Sequence, residues 1–133
     1  MELRFDKNKM KTVMENYYKK YEDFEGNITI GCKMGYVGYG MSEHQDAVVS
    51  IKITGTLDVM GEKVPMTRVV DEEEVINVFK TVLGASGYTV SDVSFDSGVK
   101  QTCEGYGMAE HTVEKPYFNG VIVNVREKQL VRH

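Results

Sequence analysis

The side chains best suited to chemistry are two adjacent Glu-His pairs, Glu43–His44 and Glu110–His111. Two imidazoles and two carboxylates can ligate a divalent metal ion, or act as general acid and base, if the pairs converge. Neighbouring residues of an extended chain point to opposite sides, so the Glu and His of one pair cannot easily face one ion. We therefore favour a protein that is not an enzyme, without metal or cofactor, and keep a metal-dependent enzyme as the alternative.

Both pairs belong to a heptapeptide that occurs twice. Gly-Tyr-Gly-Met-Ser-Glu-His occupies residues 38–44, and Gly-Tyr-Gly-Met-Ala-Glu-His occupies residues 105–111. The two heptapeptides are separated by 105 − 38 = 67 residues. At the slightly shorter separation of 71 − 6 = 65 residues, residues 1–6 match residues 66–71, and so do the apolar positions that follow each segment. The sequence therefore predicts a tandem duplication, with one domain over 1–133 made of repeats at about 1–60 and 66–127.

Other catalytic motifs find no support. Ser42 is replaced by Ala109 in the second heptapeptide, and the chain contains no Gly-x-Ser-x-Gly turn for a nucleophilic serine. Gly-Tyr-Gly lacks the lysine and the length of a phosphate-binding loop, so nucleotide hydrolysis is not indicated. We predict no catalytic residues.

The repeated heptapeptide has two further interpretations. In the first it is a hairpin corner, where Gly38 and Gly40 permit the turn. In the second it is a binding surface, because Met and Tyr supply adaptable apolar contact area and Glu suits a cationic ligand or a basic partner. The residues predicted to bind are Tyr39, Met41, Glu43, His44, Tyr106, Met108, Glu110 and His111.

Composition limits the partners. The net charge is −4 and the pI is near 5.4, which makes direct nucleic-acid binding unlikely. No apolar run is long enough to span a membrane and no signal peptide is recognisable, so we predict a cytoplasmic protein. Cys32 and Cys103 do not correspond in the two repeats, and we interpret them as small buried thiols of a reducing compartment. A homodimer is compatible with the sequence.

Hydrophobic periodicity predicts the order strand, helix, strand, strand, and then the same order again. Met10, Val13, Met14, Tyr17, Tyr18 and Tyr21 share one face of a helix that starts at Asp6 and runs to about Phe24, where Gly26 is expected to stop it. Asp71–Glu74 has the pattern of a second helix start. We expect an α+β fold, with both helices on one face of a mainly antiparallel sheet. The predicted strands are 1–5, 27–33, 47–59, 64–70, 88–99 and 118–125.

This element order is similar to that of two duplicated folds. The effector-binding fold of gyrase-inhibitory and drug-sensing regulators holds lipophilic cations between aromatic residues and a Glu. The glyoxalase and extradiol dioxygenase superfamily binds a metal through His and Glu of both halves. The similarity rests on element order alone, with no shared sequence motif, so it assigns no family.

Together these observations predict a non-enzymatic binding module. Its target is a protein partner or a small, possibly cationic, ligand, contacted by the face that carries both heptapeptides. Small acidic chains of this kind are often inhibitors or accessory factors of mobile elements, and we include that class in the prediction.

Overall fold

A computed structural model describes residues 1–38, 40–42 and 44–127, which form two helices and six strands. The elements are β1 (Glu2–Asp6), α1 (Lys7–Glu22), β2 (Glu25–Val37), β3 (His44–Val59), β4 (Glu62–Val70), α2 (Glu72–Ala85), β5 (Tyr88–Glu104) and β6 (His111–Glu127). Short 3-10 turns at Gly40–Ser42 and Gly107–Ala109 lie between β2 and β3 and between β5 and β6.

Both helices begin at an aspartate that caps the first turn. The backbone N–H of Lys9 donates to Asp6 Oδ1 at 2.8 Å, and that of Glu74 donates to Asp71 Oδ1 at 2.8 Å. Each bond satisfies one of the N–H groups that a helix start leaves without a partner. The two predicted helix starts are therefore confirmed.

The first helix ends within two residues of the predicted end, but the residue predicted to stop it is wrong. Gly26 lies inside β2, and the helix ends instead at Asp23, which adopts the left-handed conformation with φ of 51°. The N–H of the following Phe24 donates to the carbonyl of Tyr18 at 3.1 Å. An Asp at this position performs the terminating role that we expected of a glycine, since Asp tolerates left-handed backbone better than most residues.

The six strands form two antiparallel sheets, with the orders β1-β6-β5 and β2-β3-β4. This confirms an α+β fold with mainly antiparallel sheet, although the sequence did not indicate that the strands divide between two sheets. The first strand of each predicted repeat completes the sheet of the other repeat, because β1 pairs with β6 and β4 pairs with β3. Both repeats have the same element order, whereas the duplication itself stays a prediction.

Residues from both helices and both sheets share one core. Met10, Met14 and Tyr18 of α1 are fully buried, as are Val75, Val78 and Phe79 of α2. The sheets contribute Ile28, Ile51, Ile53, Val70, Val93, Phe118, Val121, Val123 and Val125.

The predicted burial needs correction at five residues. Tyr21, the last residue of the apolar face predicted for α1, is exposed, and Val13 and Tyr17 are only partly buried. Tyr21 lies in the final turn of the helix, beyond the edge of the sheets' core. Neither cysteine is a buried thiol, since Cys103 is exposed and Cys32 is partly exposed.

Candidate functional site

Two hairpins extend beyond the three-stranded parts of the sheets. Strand β4 pairs with β3 only from Ile51 onward, so residues 31–50 of β2 and β3 pair with each other alone. Strand β1 likewise reaches β6 only at residues 120–124, which leaves residues 97–118 as a second two-stranded segment. We call residues 31–50 the first arm and residues 97–118 the second arm. Each arm ends at one of the repeated heptapeptides.

The two arm tips, residues 38–43 and 105–110, close with the same register. Val37 pairs with His44 at the first tip, and Glu104 pairs with His111 at the second. A 3-10 turn follows the second glycine of each tip, and in the second tip the N–H of Ala109 donates to the Tyr106 carbonyl at 3.0 Å. Equivalent chain positions therefore form equivalent turns.

The glycines of the heptapeptide are explained by backbone geometry. Gly38 and Gly105 have φ of 95° and 98°, and Gly40 and Gly107 have φ of 58° and 56°. Residues with a Cβ adopt these conformations only at a cost in free energy, whereas glycine adopts them freely. The corner interpretation thus accounts for the repeated glycines. It does not account for the repeated methionine, whose side chain is exposed in both tips.

Three large side chains of the tips are fully exposed. Met41 and Met108 have relative exposures of 106% and 105%, and Tyr106 has 94%. Tyr36, just before the first tip, is also exposed, and Gln45 Nε2 donates to its hydroxyl at 3.3 Å. Because these side chains contribute nothing to the core, packing does not explain their presence.

Cross-strand contacts hold the second arm together. Lys115 Nζ forms an ion pair with Glu104 Oε1, and Lys100 Nζ lies 4.9 Å from the ring centroid of Tyr117. An isolated two-stranded hairpin is only marginally stable in water, so such pairs help to keep the arm extended. The arm thereby presents its tip away from the core.

The structure places the predicted site residues at the arm tips. Met41 lies in the first tip, and Tyr106, Met108 and Glu110 lie in the second. His44 and His111 begin β3 and β6, and His111 Nδ1 lies 3.1 Å from the Ala109 carbonyl oxygen. The tips belong to different sheets. Tyr39 and Glu43 lie outside the described residues.

The described part of the chain contains no cluster of metal-ligating side chains. No group of three or more His, Cys, Asp and Glu side chains is placed there to hold a metal ion. Glu43, one of the predicted metal ligands, lies outside the described residues, so the metal site stays a prediction.

A cleft of about 700 Å³ opens between the first arm, the end of β4 with the start of α2, and β5. Its walls are mainly apolar and include Val37, Val49, Val69 and Phe95. Its polar lining residues are two acids, Asp71 and Glu72, and three serines, Ser50, Ser94 and Ser97. Sequence reasoning missed this cleft, because its walls come from chain segments that are distant in sequence.

A smaller cleft of about 300 Å³ lies at the end of β1 and the start of α1, against β5 and β6. Arg4, Asp6, Lys9 and Asp96 are among its lining residues. Arg4 Nη1 lies 4.0 Å from Asp96 Oδ2, so opposite charges already face each other there. The two clefts differ in size, in charge and in position, because the larger has walls from both sheets and the smaller from one sheet and α1.

A cluster around Arg68 ties α1, β4 and α2 together. Arg68 Nη1 pairs with Glu74 Oε1, Arg68 Nη2 lies 3.3 Å from Glu22 Oε2, and the guanidinium lies 5.3 Å from the Tyr18 ring centroid. Burial and the adjacent Glu74 carboxylate raise the pKa of Tyr18, so its hydroxyl stays protonated. The cluster joins three elements within the fold, and we assign it a structural role.

Comparison with known proteins adds no family. No protein-family model matches the chain, and no curated protein or solved structure matches it either.

Proposed function

We propose that this protein is a non-enzymatic binding module that contacts a protein partner through its two arm tips. The observation that carries the proposal is the complete exposure of Met41, Met108 and Tyr106 on two turns of matching backbone. Exposed apolar side chains are individually common, but their repetition at equivalent tips is not explained by packing. Methionine adapts to irregular apolar surfaces and tyrosine adds a hydroxyl, so both suit recognition.

Interface size favours the use of both tips. A specific protein interface buries about 800 Å² on each partner. A tip of six residues is too small to supply that area alone, so the partner contacts both tips, or one tip together with its arm. Glu110 beside Met108 adds a negative charge, which favours a partner whose apolar site has a basic rim.

The test compares methionines that are equally exposed. Met60, in the turn between β3 and β4, has a relative exposure of 99% but lies away from the tips. Wild type, the double variant Met41→Ser with Met108→Ser, and the control Met60→Ser serve as baits in a lysate of the source organism, and bound proteins are quantified by mass spectrometry.

We expect one partner to be recovered with wild type and with the Met60 control. Recovery with the double variant falls about tenfold, because the loss of two apolar contacts costs about 1.4 kcal/mol or more in binding. Equal recovery with the double variant contradicts the proposal, and so does the lack of any protein recovered selectively by wild type.

The alternative, a metal-dependent enzyme, predicts a different result. Protein purified without chelator would contain one equivalent of Zn, Ni, Mn or Fe by elemental analysis. Replacement of both His44 and His111 by Ala would remove that metal. We expect well below one equivalent in wild type.

The proposal also includes the cellular location. No helix in the described residues is long and apolar enough to cross a membrane. We propose the cytoplasm as the place where the partner is met, because the free cysteines Cys32 and Cys103 suit a reducing compartment.

A further inference from the structure

The cleft between the first arm and the start of α2 has the dimensions of a small-molecule site. Its volume of about 700 Å³ falls within the range of about 300–1,000 Å³ that is usual for ligand pockets. From its lining we infer that this cleft binds a small molecule with an apolar body and a cationic amine end. This inference does not depend on the partner proposed for the tips.

The apolar body is argued from the walls. Val37 and Val49 come from the first arm, Val69 from β4 and Phe95 from β5. Val69 keeps a relative exposure of 65% although it lies beside the buried Val70. A ligand in the cleft would cover such exposed apolar surface, which favours binding by about 25 cal/mol for each Å² removed from water.

The acidic residues at one end of the cleft favour a ligand with a cationic end. Asp71 and Glu72 line the cleft, and none of the lining residues is Lys or Arg. The start of a helix carries a partial positive charge of about +0.5, which offsets only part of the charge of Asp71, Glu72 and Glu73. Glu74 is paired with Arg68 and contributes less. With two acidic lining residues and no basic one, this end of the cleft favours a cation over an anion.

The smaller cleft at the start of α1 has a different lining. That cleft has less than half the volume, at about 300 Å³, and it is lined by Arg4 and Lys9 as well as acidic residues. An acidic end without basic neighbours is therefore a property of the larger cleft alone among these two.

The experiment uses three probes that differ only in their polar end: 4-phenylbutylamine, 4-phenylbutanol and 4-phenylbutyrate. Binding to the full chain is followed by amide chemical shifts in NMR titrations at neutral pH. We expect the amine to shift amides of residues 47–51, 69–72 and 94–97 and to bind more tightly than the alcohol, with the carboxylate weakest. Equal affinity of the amine and the carboxylate, or amine-induced shifts confined to other regions, overturns the inference.

Substitutions in the cleft test where the cationic end and the apolar body of the ligand bind. Glu72→Gln should weaken the amine at least about threefold and leave the alcohol unchanged, since about 0.7 kcal/mol of attraction to the cation is lost. Glu73→Gln is the matched control, because Glu73 lies in the same helical turn but does not line the cleft. Equal effects of the two substitutions count against the site.

Ala47→Phe should fill the cleft and abolish binding of the amine and the alcohol, and the amide spectrum shows whether this variant is folded. If it does not fold, the comparison of Glu72 with Glu73 decides the test. The tip variant Met41→Ser with Met108→Ser should bind the amine like wild type. A failure of the cleft inference is thus distinguishable from a failure of the partner proposal.

Discussion

The first half of the chain, residues 1–60, and the second half, residues 66–127, agree in backbone features and differ in side-chain chemistry. Both helices start at a capping Asp, and both arm tips have glycines at matching positive φ. The cores differ, since Met14 in one half corresponds to Phe79 in the other.

This difference separates two reasons for a residue to recur. Asp6 and Asp71, or Gly40 and Gly107, recur at positions where the backbone demands that residue type. Core residues at equivalent positions differ, but they are apolar where they are buried. The methionines of the tips recur without a backbone or packing reason, which is why we assign them to binding.

The largest expected effect tests whether the halves share one core. Phe79→Ala should lower the free energy of unfolding by about 3–5 kcal/mol, and Met14→Ala by about 2–5 kcal/mol, because each removes a fully buried side chain and leaves a cavity. Urea unfolding, followed by circular dichroism, measures both. Separate transitions for the two halves, or a loss below about 1 kcal/mol in one of them, would break the picture of a common core.

A smaller effect tests the equivalence of the tips. Gly40→Ala and Gly107→Ala should each cost about 1–2 kcal/mol, since a Cβ is disfavoured at φ of 58° and 56°. A Cβ at either position meets no other atom within 4 Å, so no clash adds to the cost. The same unfolding assay applies, and costs that differ by more than about 1 kcal/mol would show that the tips are not equivalent.

The helix starts should respond differently to a change of charge. Asn also caps helices, so Asp6→Asn and Asp71→Asn both keep the capping acceptor and remove one negative charge. Asp6→Asn should cost about 0.3–1 kcal/mol, because the charge faces a helix start without other acidic residues in its first turn. Asp71→Asn should cost less or stabilise, since Glu72, Glu73 and Glu74 crowd that start. Melting temperatures at low salt measure the difference, and equal shifts would contradict it.

The smallest expected effect tests whether the exposed tip side chains contribute to the stability of the fold. Tyr106→Ala should change the free energy of unfolding by about 0.5 kcal/mol or less, as expected for an exposed side chain. Tyr18→Ala, at a fully buried position, is the reference and should cost several times more. If the Tyr106 variant loses as much stability as the Tyr18 variant, the second tip is a structural corner and its assignment to binding fails.

Local signals predicted much of the fold. The caps at Asp6 and Asp71, the buried faces of both helices and the position of the heptapeptides between strands followed from short-range patterns. The arms did not: β2 continues to Val37, β5 to Glu104, and β6 starts at His111, well beyond the apolar alternation that marked these strands. A two-stranded arm buries neither face, so its sequence carries little hydrophobic periodicity.

Long-range features could not be predicted from the sequence. The division into two sheets depends on which strand β1 joins, and no local pattern specifies that pairing. The contact of Arg68 with Glu22, 46 residues apart, is of the same kind. The larger cleft combines three distant segments, so its lining emerges only with the fold. The tip residues were found because the repeat marked them, although Tyr39 and Glu43 lie outside the described residues.

The exchange of first strands between the sheets also sets an order of events during synthesis. Residues 2–6 pair with residues 120–124, so the first strand to be synthesised cannot pair until the last strand has been synthesised. Strand β4, by contrast, pairs with the immediately preceding β3 across a two-residue turn. As the chain emerges from the ribosome, the sheet of the first half can close early, while the other sheet keeps an unpaired strand until residue 124 has been added. A chaperone that shields β1 during that interval would act on this chain at its most exposed stage.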